Sequence, residues 1–173
     1  MKRVPLLFGF LIGVWHCGAL AQQLCRPDTI LASTPVENFV VDKATVVDRT
    51  TGLMWTRCFA GVSGDSCDGG EATLMSWPAA LQYAARMNRE SFLGYTNWRV
   101  PNIKELNSIA ETQCANPALN PALFPAAPPL KVWSSSPYSL YPHYSWFFDF
   151  KDNTTSNLER FKTFAVLLAR DIE

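Results

Sequence analysis

The stretch "NWRVPNIKEL", residues 97–106, changes backbone type partway along. Pro101 restricts Val100 to an extended conformation and keeps it out of any following helix. Asn102, with Glu105 three positions later, makes a capping-box-like start. The Asn side chain accepts from free N–H groups of the first turn, and the Glu carboxylate reaches back to the cap N–H. Ile103, Leu106 and Ile109 or Ala110 then recur at helical spacing, as the buried stripe of a short helix that ends before Pro117. The stretch therefore predicts a strand-to-helix corner. Trp98 is expected to pack in the core and Arg99 to pair with a nearby carboxylate, with a ligand role for this pair as the alternative.

Working outward toward the N-terminus, "SWPAALQYAARMN" predicts a helix with Ser76 as N-cap and Pro78 in its first turn. Trp77, Ala80, Leu81 and Ala84 share its apolar face, and the small alanines allow close approach to a sheet. Further back, "TVVDRTTGLMWTR" predicts a hairpin in which Val46 and Val47 end one strand, Asp48 to Gly52 turn, and Leu53 to Thr56 return. Asp48 caps that turn through its side chain, and Gly52 supplies a positive φ. Toward the C-terminus, "NPALNPALFPAAPPL" is denied helix and central strand by its prolines and is expected to cross the surface as an ordered, irregular segment. Beyond it, "KVWSSS", "SWFFDF" and "TFAVLLA" are expected to be strands of a late antiparallel sheet. The expected fold class is α+β, one domain with two short helices and antiparallel strands. Gly52, Trp55, Trp98, Arg99, Asn102, Glu105 and Trp133 are assigned structural roles.

The first residues, "MKRVPLLFGFLIGVWHCGALAQQ", place Lys2 and Arg3 before an apolar run and Ala19-Leu20-Ala21 after it, the plan of a secretory signal peptide over 1–21. The run is shorter than the roughly 20 residues that span a bilayer, so no membrane span is expected. Lipoprotein processing at Cys17 or Cys25 is disfavoured because His16 and Leu24 stand where a small residue is needed. Residues 22–44 are assigned to an N-terminal tail and 45–170 to the folded domain. Of 15 basic and 15 acidic side chains, Lys2 and Arg3 leave with the signal, giving a mature net charge of −2. Such a surface has no general field for nucleic acid or anionic membrane, and nucleic acid is not an expected partner.

Four cysteines remain after the signal, an even number in an exported chain, and predict two disulfides. Among the three possible pairings, Cys58 with Cys67 is favoured because "CFAGVSGDSC" is a short flexible loop, which leaves Cys25 for Cys114. Closing the second, long loop is worth on the order of 4 kcal/mol in the chain-entropy account. The four lack the paired CxxC spacing of a zinc site, and no metal or other cofactor is expected.

Candidate chemistry is sparse. His143 is the only histidine beyond the signal, and a triad would have to combine it with Ser134 to Ser136 and Asp149 or Asp152. No nucleophile-elbow sequence surrounds those serines, and no catalytic residues are assigned. The most unusual segment is "SPYSLYPHYSW", residues 136–146, which sets Tyr138, Tyr141, His143 and Tyr144 among prolines and serines between two expected strands. These four are the candidate ligand-binding residues, because rigid rings offer large contact area at small entropic cost. Two readings stand: a platform for sugar rings or a protein partner, or a roof of tyrosines folded back over the late sheet.

In order, "DRTTGLMW", a Trp-led helix, "NWRVPNIKEL", "WSSS" and "WFFDFKDN" resemble the Lcl C-terminal domain, a family named from bacterial collagen-like adhesins. The resemblance covers about residues 45–170. It implies an exported bacterial domain with a C-type-lectin-like fold and, for the adhesin, binding of sulfated glycosaminoglycans. This chain departs from the family where a closing strand commonly carries two arginines: here "AVLLAR" keeps Arg170 and has Leu167 at the other place. The family's Asp-Gly turn is Asp152-Asn153 here, which Asn accommodates because it tolerates the left-handed region. No collagen-like repeat precedes the domain, and the sugar-binding motifs of calcium-dependent lectins are missing. The resulting expectation is a secreted or envelope-associated module, periplasmic or extracellular, that binds a glycan or a surface protein, with adhesion as the role the resemblance implies. The alternative is a structural component of a surface appendage.

Overall fold

A computed structural model describes residues 23–172. The signal segment expected over 1–21 lies outside the described residues. In chain order the strands are β1 (Leu24–Cys25), β2 (Phe39–Asp42), β3 (Thr45–Asp48), β4 (Leu53–Thr56), β5 (Val62–Ser63), β6 (Gly69–Gly70) and β7 (Met75–Ser76). Helix α1 (Trp77–Arg89) and helix α2 (Ile103–Ser108) follow, and then β8 (Cys114–Ala115), β9 (Lys131–Pro137), β10 (Tyr144–Asp149), β11 (Thr154–Glu159), β12 (Thr163–Phe164) and β13 (Ala169–Asp171). Two sheets dominate, one in the order β13-β4-β3-β2 and one in the order β11-β10-β9, and their ladders are antiparallel. The described residues thus form a mixed α/β domain with two α-helices and two disulfides.

One extended segment joins the sheets. Ala165 receives from the Trp133 N–H at 3.1 Å and donates to the Lys131 carbonyl at 3.0 Å, which attaches the segment to β9. Three residues on, the Leu168 carbonyl accepts from the Thr56 N–H at 3.0 Å, and Ala169 pairs with Trp55 in β4. Side chains alternate across this segment, as any extended chain requires. Ala165, Leu167 and Ala169 enter a core with Trp55, Leu106, Ile109, Leu123, Phe124 and Phe148. Val166 and Leu168 enter a second core with Ala80, Ala84, Met87, Trp98, Trp133 and Phe147. The sheet layer is therefore buried on both faces, under α1 on one side and under α2 with the Pro-rich crossing on the other. "TFAVLLA" was expected to be one sheet strand; only its ends lie in ladders, because its middle serves both sheets.

The 97–106 corner is as its sequence dictates. The Asn102 side chain accepts from the N–H groups of Lys104 at 2.9 Å and Glu105 at 3.0 Å, while Glu105 Oε2 accepts from the Asn102 N–H at 2.7 Å. The same carboxylate binds the Arg99 guanidinium at 2.7 and 3.0 Å, and Arg99 reaches Asp171 at 3.1 Å. Trp98 is 2 % exposed, donates its indole N–H to the Phe92 carbonyl, and is held at its backbone by both groups of the Asn88 amide. The hairpin also forms: Gly52 has φ 70°, its N–H reaches the Asp48 carbonyl at 2.9 Å, and the Asp48 carboxylate accepts from the Thr50 N–H and the Thr51 hydroxyl.

Helix α1 departs from expectation in two details. Its buried face is Ala80, Ala84 and Met87, and Leu81 is exposed. The i, i+4, i+7 line through the alanines sets the contact with the sheet, and Leu81 lies about 100° around the helix from Ala80. Ser76 occupies the cap position without a side-chain bond: Pro78, two residues on, has no N–H to offer it, and Ser76 itself pairs with Thr163. The crossing 116–130 is irregular as expected but does not merely run over the surface, for it buries Ala118, Leu119, Leu123 and Phe124. Within the stretch assigned to a tail, Phe39–Asp42 forms the outer strand of the four-stranded sheet.

Both disulfides pair as expected, Cys58 with Cys67 and Cys25 with Cys114. Two buried charges reinforce them. Arg57 donates to the carbonyls of Leu123 at 2.7 Å, Lys43 at 2.7 Å, Asp65 at 3.1 Å and Ala122 at 3.2 Å, tying the crossing to the hairpin and the disulfide loop. Glu111 is 2 % exposed and accepts from the Thr34 hydroxyl at 2.6 Å and from the N–H groups of Thr34, Gln113 and Ser33 at 3.0 to 3.1 Å. Burial pushes its pKa up, but these hydrogen bonds together outweigh burial and hold it below the ordinary carboxylate value.

Candidate functional site

The loop between β9 and β10 gathers all four candidate residues into one cluster. Its base is narrow because the Tyr138 N–H reaches the Tyr144 carbonyl at 3.2 Å and the Tyr144 N–H reaches the Tyr141 carbonyl at 2.9 Å. The Tyr138 ring centroid lies 6.0 Å from that of Tyr141, 6.5 Å from Tyr144 and 5.3 Å from Trp146. Tyr141 is 5.4 Å from Tyr144 and 6.3 Å from His143, and His143 is 4.9 Å from Tyr144. Tilted and edge-on geometries at these separations are mutually favourable, so the rings support one another outside the core.

The cluster is neither wholly platform nor wholly roof. Tyr138, Tyr144 and Trp146 are half-buried, whereas Tyr141 at 54 % and the neighbouring Leu140 at 71 % are exposed, as is His143. Strand alternation explains the division. Ser145 and Phe147 turn into the protein, and Tyr144 and Trp146 turn to the opposite face. Across the ladder Tyr144 faces Glu159, and its hydroxyl donates to Glu159 Oε1 at 2.9 Å. That bond raises the Tyr144 pKa; Glu159 is held low by its own backbone N–H first and by the Tyr144 hydroxyl second.

Two shallow concavities touch this region, one at Trp146 and the other at Pro142 and His143. One is lined by Trp146 and Thr155 of the sheet and by Ile103, Lys104 and Asn107 of α2, and measures about 320 Å³. The other is lined by Pro142, His143, Arg160 and Phe161 with Ser76 and Pro78. Arg160 is fixed there, with its guanidinium 4.1 Å above the Trp77 ring and its Nε donating to the Ser145 hydroxyl at 2.8 Å. Phe161 is 69 % exposed. Trp146, Lys104, Asn107, Arg160 and Phe161 were not singled out from sequence. Period-2 alternation from Tyr144 would have found Trp146; the others come from distant elements and have no local signal.

The remaining sequence candidates are occupied in the fold. Ser134 donates to the Trp146 carbonyl at 2.9 Å, Ser136 accepts from the Ile103 N–H at 3.1 Å, and Asp149 binds Lys131 at 3.2 Å and the Lys151 N–H at 2.9 Å. Trp133 is fully buried with its indole N–H on the Met75 carbonyl, and Trp55 is fully buried as well. A separate cavity of about 120 Å³ behind the Cys58–Cys67 loop, lined by Phe59, Val62, Tyr83, Phe92 and Leu168 among others, holds no charged side chain.

The Lcl C-terminal domain model matches residues 44–170. The chain belongs to that family. No curated protein matches it. Two of its departures from the Lcl pattern now have structural accounts. Asn153 stands at φ 55°, the left-handed conformation that the Asp-Gly turn uses. Arg170 is 7 % exposed, lies 4.2 Å over the Tyr95 ring and donates to the Asn97 side chain, while Leu167 is fully buried in the core. Neither position presents a free cation.

Proposed function

We propose that this Lcl-family domain is an exported bacterial binding module, C-type-lectin-like in architecture, that recognises a glycan through the 138–146 aromatic cluster and is not an enzyme. Membership of the family supports a surface setting. Two disulfides fit an oxidising compartment, and no helix among the described residues is long and apolar enough to cross a membrane. The observation that carries the reading is the exposed ring of Tyr141 packed with Tyr138 and Tyr144, where Tyr138 lies 5.3 Å from Trp146, which lines a concavity that offers the Lys104 ammonium, the Asn107 amide and the Thr155 hydroxyl. Sugars present apolar C–H faces and rings of hydroxyls, and sites that take them combine stacking surfaces with a few polar groups that fix orientation. Arg170 is enclosed and the mature net charge is −2, so a neutral or weakly acidic sugar suits the site better than a densely sulfated chain.

The test is a glycan array with the mature, disulfide-bonded protein, followed by calorimetry on any sugar retained. Binding that is lost in Tyr141→Ala and in Asn107→Ala, with unchanged urea midpoints, supports the site. Absence of any retained glycan, or affinity untouched by both substitutions, overturns it, and retention of a protein partner through the same rings would replace the ligand class.

A further inference from the structure

The anchored arginines of this fold differ in what their guanidinium groups are left to do. Arg57 spends Nε and both Nη groups on backbone carbonyls. Arg99 places both Nη groups on carboxylates, and Arg170 is buried with Nη1 against the Met54 sulfur. Arg160 is held as firmly. Its N–H donates to the His143 carbonyl at 2.9 Å, and its carbonyl accepts from the Trp77 N–H at 2.9 Å. The guanidinium lies 4.1 Å over the Trp77 ring, and Nε donates to the hydroxyl of buried Ser145 at 2.8 Å. Yet among the described residues neither Nη of Arg160 finds an acceptor, and no carboxylate pairs with it.

Strand alternation keeps the carboxylate nearest in sequence away from it. Glu159 faces Tyr144 across the ladder of β10 and β11 and accepts from the Tyr144 hydroxyl. The next residue, Arg160, turns to the opposite face and meets Ser145 there. With Trp77 against one face and Ser145 on Nε, the outer Nη edge of the guanidinium is uncommitted. Arg160 also lines the concavity of about 680 Å³ whose other walls are Pro142, His143 and Phe161 with Ser76 and Pro78. Two prolines and a phenyl ring that is 69 % exposed make those walls largely apolar.

We propose that this concavity binds a small organic carboxylate with an apolar body, the carboxylate taking both Nη groups of Arg160 and the body resting on Phe161 and the prolines. A half-buried guanidinium without a counter-ion forms strong charge-assisted bonds to an incoming anion. Its side chain is already fixed by Trp77 and Ser145, so little rotamer entropy is left to lose on binding. The fork offers its donors in one plane, which matches a planar carboxylate edge-on. A phosphate monoester brings about two charges and tetrahedral oxygens, and one fork satisfies neither. The inference does not rest on the glycan reading, since it uses neither Tyr141 nor the concavity at Trp146.

NMR titration of the mature, disulfide-bonded protein tests it, read at the imidazole of His143, the one histidine left after the signal is removed. Phenylacetate at constant pH should shift that resonance saturably, with a dissociation constant on the order of 1 mM for a fragment of this size. Phenylacetamide, of the same shape without the charge, should bind about tenfold more weakly or worse. Acetate and phenyl phosphate should each be weaker than phenylacetate. Arg160→Lys keeps a cation but loses the fork and should weaken phenylacetate about tenfold. Phe161→Ala should bring phenylacetate close to acetate with an unchanged urea midpoint, because the ring is exposed. The comparison of acid with amide needs no variant, so it stands even where Arg160→Lys lowers stability. No saturable shift with phenylacetate, an amide or phosphate that binds as well as the acid, or phenylacetate affinity untouched by both substitutions overturns the proposal.

Discussion

The corner at 97–106 and the loop at 136–146 are both rich in aromatic and polar side chains, yet the fold treats them oppositely. At the corner each conspicuous group is consumed internally: the Trp98 indole by the Phe92 carbonyl, the Arg99 fork by Glu105, and the Asn102 amide by two N–H groups of α2. In the loop the rings of Tyr141 and His143 meet one another and then solvent. A conspicuous residue is therefore not a site until its partners have been counted. Groups satisfied within the chain report on folding, and groups left facing water are available to a partner.

The sharpest way to break this contrast is Trp98→Ala. Removing a buried indole from a core shared with Trp133, Val166 and Leu168 should cost about 3 to 5 kcal/mol, seen as a lower urea midpoint. An unchanged midpoint would put Trp98 in the same class as the loop. Next comes Glu111, another internally satisfied group. Glu111→Gln loses charge-assisted bonds from Ser33, Thr34 and Gln113 and should cost about 2 kcal/mol. The pH dependence has a definite sign. A carboxyl whose folded pKa is depressed contributes stability fully above its unfolded value of about 4.3. That contribution is lost as pH falls from there through the lowered folded value. Acid titration of the wild type should show this loss, and Glu111→Gln should flatten it; parallel acid limbs in both proteins would remove Glu111 from the account.

The same distinction explains what was legible in the sequence. The Asp48–Gly52 turn, the Asn102–Glu105 cap and the Cys58–Cys67 loop are specified by residues close together in the chain, whose chemistry admits few alternatives. The shared middle of "TFAVLLA" was not legible as such, because a segment buried on both faces shows no alternation. Strand β11 escaped notice because "TTSNLE" is a polar edge with few of the residues that mark a strand. Leu123 and Phe124 looked superficial because prolines exclude regular structure and say nothing about burial. Arg57 and Glu111 find their partners mostly far away in sequence, so their roles exist only after folding. For the loop, the sequence placed the four rings together but left their orientation open.

Asn102→Ala tests the corner more gently. It removes a cap that accepts two backbone N–H groups and should cost about 1 kcal/mol. Asn102→Asp, which keeps the acceptor, should recover most of that. If both lowered the midpoint equally, the capping box would not be the source of the effect.

The smallest expected effect on stability is also the most informative about function. Tyr141 is 54 % exposed, among the described residues no hydrogen bond ties down its hydroxyl, and its ring packs with the other loop rings. Tyr141→Ala should therefore shift stability by no more than about 0.5 kcal/mol. Tyr144→Phe should be similarly mild, since it removes only a hydroxyl that donates to the partly exposed Glu159. If the loop is the ligand platform, these two variants separate its parts: Tyr141→Ala should abolish sugar retention by removing the stacking face, while Tyr144→Phe keeps the ring and weakens binding only if the sugar needs that hydroxyl. Calorimetry and a urea titration on the same two proteins read both properties. A Tyr141→Ala midpoint lowered as far as that of Trp98→Ala would mean that the loop is roof after all, and that the contrast with the corner is one of position and not of kind.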